Sequence, residues 1–264
     1  VFGAAMKGFG YKADLPDQRD ISFEDHQEKF ALGLSNSATE YGIKDELPIS
    51  DQENLQSCVA DSTTSALEIL LAIEGFEPIQ LSRLLTYWNS RMLTNDTDKD
   101  EGTYIRNAFQ SLSSLGVCPE SEWPYDTSKV FAQPPITAYQ SANANKVISY
   151  YRIGETGKAR IDSIELAIRN DKPVVFGAGI SEEFLNDYSG NEVVWDTPSS
   201  IIGRHAMVLT RVRILPNGKR EFLLRNSWGF QWGRNGRNWI SEDYLMSDLV
   251  SDLWVPTLIP KLLV

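Results

Sequence analysis

Cys58 is the strongest candidate nucleophile in this chain of 264 residues, which contains only two cysteines and two histidines. It lies at the start of a predicted helix that spans roughly 57–74, with Ser57 as its predicted N-cap and Gly75 as its stop. The N-terminus of a helix carries partial positive charge, which favours a thiolate over a thiol. Position alone also permits a simpler interpretation, in which Cys58 is a small buried residue at a helix end.

Two further residues could complete a thiol-based site. His205 begins an apolar segment, 205–209, that is typical of a strand, and an imidazole at a strand end can act as a general base in a cleft. A hydrogen-bonded surface histidine fits the same position. Asn226 follows another predicted strand, and its amide oxygen could orient an imidazole while Trp228 shields that bond from water. The alternative is an ordinary turn asparagine.

Two kinds of periodicity identify the elements that would position these residues. Apolar residues recur at helical spacing in the first half of the chain and in short strand-like runs in the second half. The predicted helices span 57–74, 81–92, 103–115 and 162–170. The predicted strands span 173–176, 192–195, 205–214 and 221–225, with a hairpin turn at 216–219.

This order predicts an α+β fold with two lobes. We expect a helical lobe over 47–138 that carries the nucleophile helix, and a strand-rich lobe over 139–264 that carries the histidine and the asparagine. Residues 1–46 are predicted to form an arm that packs on the strand-rich lobe. The apolar tail, 253–264, contains two prolines and is predicted to be an extended covering strand.

Four short blocks, in order along the chain, resemble the papain-like cysteine peptidases. Gln52 lies six residues before Cys58, as does the glutamine that helps to form the oxyanion hole in that family. The matches extend from about residue 14 to residue 245, and segments 116–120 and 123–125 resemble the end of the helical lobe in bacterial-type members. The blocks are Leu15-Pro16-Asp17, Gln52 to Cys58, His205-Ala206, and Asn226-Ser227-Trp228-Gly229 with Trp232-Gly233 and Asn235-Gly236 after it.

The resemblance implies a two-lobed fold, with an antiparallel, β-barrel-like second lobe and the active site in the cleft between the lobes. It implies that Cys58 and His205 form a thiolate–imidazolium pair that hydrolyses peptide bonds through a thioester. The Gln52 amide and the Cys58 backbone N–H would stabilise the oxyanion. Asn226 would orient His205, and Trp228 would cover that contact. Whether the enzyme is an endopeptidase or an exopeptidase stays open.

Several positions depart from the family pattern. Leu55, Gln56 and Val59 replace the usual cysteine, glycine and aromatic residue around the nucleophile. Arg204 precedes the histidine and is expected to oppose an imidazolium. These differences predict a divergent bacterial-type or viral member. They also leave open a catalytically weak or inactive scaffold, and an amidase or acyl transferase that uses the same thioester chemistry.

Substrate-binding residues follow from the same resemblance. Gly102 is expected to pair with the backbone of a bound peptide. Tyr104, Gly177 and Ala206 are expected to line the pocket for the second residue before the cleaved bond. Small residues at 177 and 206 predict a pocket that is open to a bulky apolar side chain.

Composition narrows the other function classes. The net charge of −11 disfavours nucleic acid binding, and no apolar run approaches the length of a membrane span. Two cysteines, Cys58 and Cys118, exclude a disulfide framework and favour a reducing compartment or an assembled particle over disulfide-rich secretion. The scarcity of histidine predicts no metal, and the resemblance implies no cofactor. His26 lies in an acidic segment and is interpreted as a solvated residue.

The partners expected from the sequence are peptide or protein substrates. A protein partner could bind through residues 21–44 or through the C-terminal tail. About 13 residues precede the block that resembles the start of a mature enzyme. An inhibitory propeptide is not expected to fit into so short a segment.

Overall fold

The computed structural model describes residues 7–30, 39–143, 146 and 149–258. The helical lobe is built on α1 (Cys58–Ile73), α2 (Arg83–Met92), α3 (Ile105–Ser114) and α4 (Ile136–Ala142). α1 packs against α2 and α3 on one side and against the strand-rich lobe on the other. Because α1 is enclosed from both sides, nearly all of its side chains are buried, and its first residue lies where the two lobes meet.

The ends of α1 show how the nucleophile helix is fixed. The Ser57 hydroxyl does not cap the helix; it donates to the Asp61 carboxylate and bonds the Tyr125 hydroxyl instead. Ser57 therefore occupies the N-cap position predicted from the sequence, but its side chain makes no capping hydrogen bond. Gly75 follows the C-terminus with φ +81, a left-handed conformation that glycine adopts without strain.

The strand-rich lobe is built on an eight-stranded sheet. Its strands are β2 (Glu40–Gly42), β4 (Ser149–Ile153), β5 (Val174–Ile180), β6 (Val194–Trp195), β7 (Gly203–Ile214), β8 (Arg220–Arg225), β9 (Arg237–Ser241) and β10 (Val250–Thr257). Their order is β4-β10-β5-β7-β8-β9-β6, and β2 pairs with β7 off this path. Neighbouring strands are antiparallel, apart from the parallel pair β6–β9.

Three helices accompany this sheet: α5 (Gly157–Arg169), α6 (Glu182–Leu185) and α7 (Glu242–Met246) in the part that the structure describes. α5 packs against β4, β5 and β7, and its buried isoleucines join the core of this lobe. The α+β, two-lobed fold predicted from the sequence is confirmed. Among the described residues, no helix combines the length and the apolar character that a membrane crossing requires.

The predicted elements shift by a few residues in the structure. Thr103 and Tyr104 form a short strand, β3, so the helix predicted over 103–115 begins two residues later. The strand predicted to begin at His205 begins at Gly203. The covering strand predicted over 253–264 is β10, which lies inside the sheet between β4 and β5 and not over it; residues 259–264 lie outside the described part of the chain.

The N-terminal arm contacts both lobes. Its β1 (Tyr11–Lys12) pairs in parallel with β3 of the helical lobe. Phe23 and Phe30 pack into the core of the strand-rich lobe, and β2 adds to the edge of β7. The segment 21–44, predicted to offer a partner surface, is described only in part, because residues 31–38 lie outside the described ranges.

Candidate active site

Cys58 is fully buried at the first residue of α1, between the two lobes. Burial raises the pKa of its thiol to about 12, although backbone hydrogen bonds from Ala206 and Gly10 act in the opposite direction. Desolvation outweighs these hydrogen bonds, so the covered arrangement favours the thiol over the thiolate.

His205, Asn226 and Trp228 form a stacked, hydrogen-bonded unit. The His205 Nε2 and Asn226 Oδ1 atoms are 2.7 Å apart, and the imidazole stacks on the Trp228 indole with ring centroids 4.2 Å apart. Asn226 Oδ1 also accepts the Ser227 backbone N–H, at 2.8 Å. An oxygen in that position requires the proton on Nε2, so Nδ1 carries the lone pair.

The imidazole is neutral in this arrangement. Burial lowers the pKa of His205 to about 4, and the hydrogen bond to Asn226 offsets this only in part. Its Nδ1 atom has no hydrogen-bond partner among the described residues and is thus an unused proton acceptor. Arg204 is exposed, and the alternation along β7 directs it away from the face that carries His205. The expected opposition between Arg204 and an imidazolium is therefore not what sets this pKa.

Gln52 is held beside this unit by backbone pairing between the two lobes. The Gln52 N–H donates to the Ser227 carbonyl at 2.9 Å, and the Ser227 hydroxyl donates to Gln52 Oε1 at 2.7 Å. The opposite end of the amide faces two carbonyl oxygens, which can only accept, and is therefore Nε2. Nε2 donates to the carbonyl oxygens of Leu55, at 2.8 Å, and of Gly8, at 3.1 Å.

The carbonyl of Gly8 shows that the arm enters the cleft. The Phe9 N–H donates to Gln56 Oε1 at 2.6 Å, and the Gly10 carbonyl accepts the Thr103 N–H at 2.9 Å. Lys7 forms an ion pair with Asp51 at 2.6 Å just before this segment. Residues 8–11 thus lie across Cys58.

Three of the four predicted substrate-binding residues surround this segment. A Cβ added to Gly102 would lie 2.0 Å from the Gly10 oxygen, and one added to Gly177 would lie 2.1 Å from Tyr11 Cζ. Ala206 is the strand partner of Gly177. The fourth, Tyr104, is half-buried and lies opposite Lys12 in the short β1–β3 pair.

Tyr11 occupies the pocket between these small residues and is 4% exposed. Its hydroxyl donates to Asp252 Oδ2 at 2.5 Å and lies 2.6 Å from Ser251 Oγ. Sequence reasoning missed Ser251 and Asp252, because a polar or acidic residue in a strand carries no signal of which side chain it will contact. The pocket is therefore polar at its base, whereas the small wall residues had predicted an apolar occupant.

The direction of the arm is the reverse of the order expected for a substrate. The pocket is expected to take a residue that precedes the cleaved bond, yet Tyr11 follows Gly8, whose carbonyl meets Gln52. The N-terminal segment was also expected to be too short for an inhibitory propeptide. Four of its residues, 8–11, nevertheless cover the thiol and fill the pocket.

The remaining candidates lie outside this cluster. Cys118 is a buried free thiol, as is Cys58, so the two form no disulfide. His26 lies in a 3₁₀ helix (Glu24–Lys29), is half-buried, and its Nδ1 lies 2.9 Å from the Ser22 carbonyl oxygen. Within the described ranges, no three His, Cys, Asp or Glu side chains are grouped to hold a metal ion.

Comparison with known proteins identifies relatives along most of the chain. The family model described as papain family cysteine protease matches residues 39–252. An uncharacterized peptidase C1-like protein of Acanthamoeba polyphaga mimivirus is 30% identical over 94% of this chain and 86% of its own length. Pro-cathepsin H of Mus musculus is 27% identical over 72% of this chain; the match covers 54% of that protein. Falcipain-2a of Plasmodium falciparum is 24% identical, and 38% of its length is covered.

Solved structures of similar fold also match most of the chain. Xylellain, a cysteine protease from Xylella fastidiosa, superposes with a TM-score of 0.81 and 25% identity, over 98% of this chain and 99% of that one. Procathepsin L 3 of Tenebrio molitor superposes with a TM-score of 0.66 at 18% identity, over 94% of this chain and 83% of that one, which supports the fold. The chain therefore belongs to the papain family of cysteine proteases.

Proposed function

We propose that this protein is a cysteine peptidase in which Cys58 is the nucleophile and His205 the general base. The observation that carries the proposal is the hydrogen bond from His205 Nε2 to Asn226 Oδ1. It leaves the Nδ1 lone pair free to accept a proton in the cleft where Cys58 begins α1. Family membership supports the same chemistry.

The reaction proceeds through a thioester. His205 Nδ1 takes the proton from Cys58 Sγ, and the sulfur attacks the carbonyl carbon of the substrate. The Gln52 amide and the Cys58 backbone N–H stabilise the oxyanion. The imidazolium then protonates the leaving amine as the C–N bond breaks. Finally His205 removes a proton from water, which hydrolyses the thioester and restores the thiol.

We further propose that residues 8–11 keep the enzyme in an inactive, covered state. They place the Gly8 carbonyl on Gln52 and the Tyr11 side chain in the substrate pocket. Their presence buries Cys58 and His205, which favours the neutral form of each. The arm must leave the cleft before a substrate can bind, and its reversed direction keeps it from binding as a substrate does.

Labelling with a peptidyl epoxide tests this proposal. The Tyr11→Ala variant of the full chain should be labelled on one cysteine and should cleave a peptide library, at least about 10-fold faster than the wild type. Adding Cys58→Ala should abolish both signals, whereas adding Cys118→Ala should leave both. A folded Tyr11→Ala protein that neither labels nor cleaves would identify an inactive scaffold. Product analysis with added amines separates hydrolysis from acyl transfer.

A further inference from the structure

At the base of the Tyr11 pocket, one hydrogen-bond donor and one acceptor face the phenolic hydroxyl. The single phenolic proton is donated to Asp252, so the Ser251 hydroxyl is the donor in the second contact. The occupant therefore both donates and accepts through one oxygen. Burial, reinforced by the charge of Asp252, raises the pKa of Tyr11, which keeps the phenol protonated.

Asp252 would be left incompletely paired if the arm left. Its Oδ1 accepts from Arg152 at 2.9 Å, and this bond joins two strands of the sheet, β10 and β4. Its Oδ2 accepts only from the arm among the described residues, from the Tyr11 hydroxyl and, at 2.6 Å, from the Asp14 N–H. The side chain of Asp252 is 2% exposed. Asp14 lies outside residues 8–11 and keeps its bond to Oδ2, but the bond from the phenol is lost, so the emptied pocket favours an occupant that restores it.

The pocket base disfavours a cationic occupant. Arg152 is already paired with Asp252, so a second guanidinium or ammonium group would gain less there than beside an unpaired carboxylate. A guanidinium also has no acceptor for the Ser251 hydroxyl. Phenylalanine and leucine fill the space between the small walls at Gly177 and Ala206 but offer no hydroxyl group to Asp252 Oδ2 or to Ser251 Oγ.

We propose that this pocket selects tyrosine in substrates, at the second position before the cleaved bond, with Asp252 and Ser251 as the specificity-determining residues. The proposal rests on the peptidase function proposed above and replaces the apolar preference predicted from the small wall residues. A site built to bind a hydroxyl discriminates strongly against the analogue that lacks it, because its own polar groups are then unpaired.

Four fluorogenic peptides test the selectivity; they are identical except for Tyr, Phe, Leu or Arg at that position. With the full-length Tyr11→Ala variant, kcat/KM should be at least about 10-fold higher for Tyr than for Phe, Leu or Arg. Adding Asp252→Asn or Ser251→Ala should reduce the Tyr-to-Phe ratio below about 3. Asparagine suits this position, since residue 252 has φ +53. Asp248→Asn, at an exposed aspartate nearby, should leave the ratio unchanged.

Equal rates for the Tyr and Phe peptides would overturn the proposal, and the highest rate for Arg would show a cationic pocket instead. Calorimetry on the Cys58→Ala/Tyr11→Ala protein gives an independent measurement, because binding needs no turnover. Tyr and Phe peptides of equal affinity would refute the selectivity. Tighter binding of the Tyr peptide, without labelling or cleavage in the Tyr11→Ala protein, would refute the peptidase function alone.

Discussion

The side-chain amide of Gln52 donates to the carbonyl oxygen of Gly8 at 3.1 Å. The donor expected to stabilise a tetrahedral oxyanion thus binds a neutral carbonyl of its own chain. Both groups are buried beside the Ser227 hydroxyl, which holds the other end of the amide. The arm therefore contacts the proposed catalytic residues directly and also blocks access to them, and several measurements should detect its removal.

We predict that Gly10→Ala displaces the arm. A Cβ at this position would lie 1.6 Å from the backbone oxygen of Gln56, and backbone cannot move aside as a flexible side chain can. The rate of Cys58 alkylation at pH 7 should rise at least about 10-fold, and the pKa of the thiol should fall from its value of about 12, because water regains access. Alkylation followed by intact mass spectrometry across a pH series measures both.

Gly154→Ala provides the matched control, since its Cβ would meet only the Glu24 carboxylate, at an ordinary 3.7 Å. This variant should behave as the wild type. Unchanged alkylation in a folded Gly10→Ala protein would contradict the covered state.

Alanine substitutions at Gln52 and Gln56, four residues apart, should have opposite effects on activity. In the Tyr11→Ala background, Gln52→Ala should lower kcat roughly 10²–10³-fold, because an oxyanion donor is lost. Gln56→Ala removes the acceptor of the Phe9 N–H, so in the otherwise wild-type chain it should accelerate labelling. In the Tyr11→Ala background it should leave kcat within about 3-fold. If both substitutions lower kcat equally, the oxyanion role of Gln52 is wrong.

Removing the amide oxygen of Asn226 should lower the rate more than removing the indole nitrogen of Trp228. Asn226→Ala removes the acceptor that fixes the His205 tautomer, and we expect kcat/KM in the Tyr11→Ala background to fall about 10²-fold. Trp228→Phe retains an aromatic surface over the ring, and the indole Nε1 has no hydrogen-bond partner among the described residues. Its loss of rate should therefore be smaller, about 10-fold or less. Steady-state kinetics over pH 5–9 would refute the orienting role if Asn226→Ala leaves the profile unchanged.

The buried acid Asp14 should make the stability of the folded protein depend on pH. Burial, with the neighbouring Asp252, raises the pKa of Asp14 from 3.8 to about 7, while Arg106 on α3, Trp254 on β10 and Arg152 on β4 act in the opposite direction. The native state thus binds a proton that the unfolded state releases between about pH 4 and pH 7. Stability contributed by this group should be present at pH 4 and decline as the pH rises to 7.

Comparison with Asp14→Asn isolates this contribution. The free energy of unfolding of the wild type, relative to the variant, should decrease by up to about 4 kcal/mol from pH 4 to pH 7 and then level off. Urea titrations at four pH values measure it, with the exposed Asp248→Asn as a control. A relative stability that rises with pH would show that the raised pKa is wrong.

The sequence predicted the fold because its signals are local and repeated. Helical spacing of apolar residues placed α1 within a residue at each end, and short apolar runs located β5, β7 and β8. The course of the arm could not be predicted in this way. Gly8 and Gly10 are visible in the sequence, but the backbone that they approach at Leu55 and Gln56 is set by tertiary structure.

The protonation state of Cys58 is a second property that the sequence does not predict. A helix N-terminus stabilises an anion by about 0.3–2 kcal/mol, and the position of Cys58 indicates this contribution directly. Burial raises the thiol pKa from 9.0 to about 12, equivalent to roughly 4 kcal/mol. Because that burial comes from residues on the arm and on β7, a sequence pattern around Cys58 contains no measure of it.

The arm also connects the two halves of the molecule mechanically. Gly10 bonds to Thr103 on the helical side, whereas Tyr11 bonds to Ser251 and Asp252 on the strand side. The segment that covers the thiol therefore also holds the two lobes together. We expect the protein to be more active but less stable once the arm has left the cleft. Each uncovered molecule should then act only for a limited period before it unfolds.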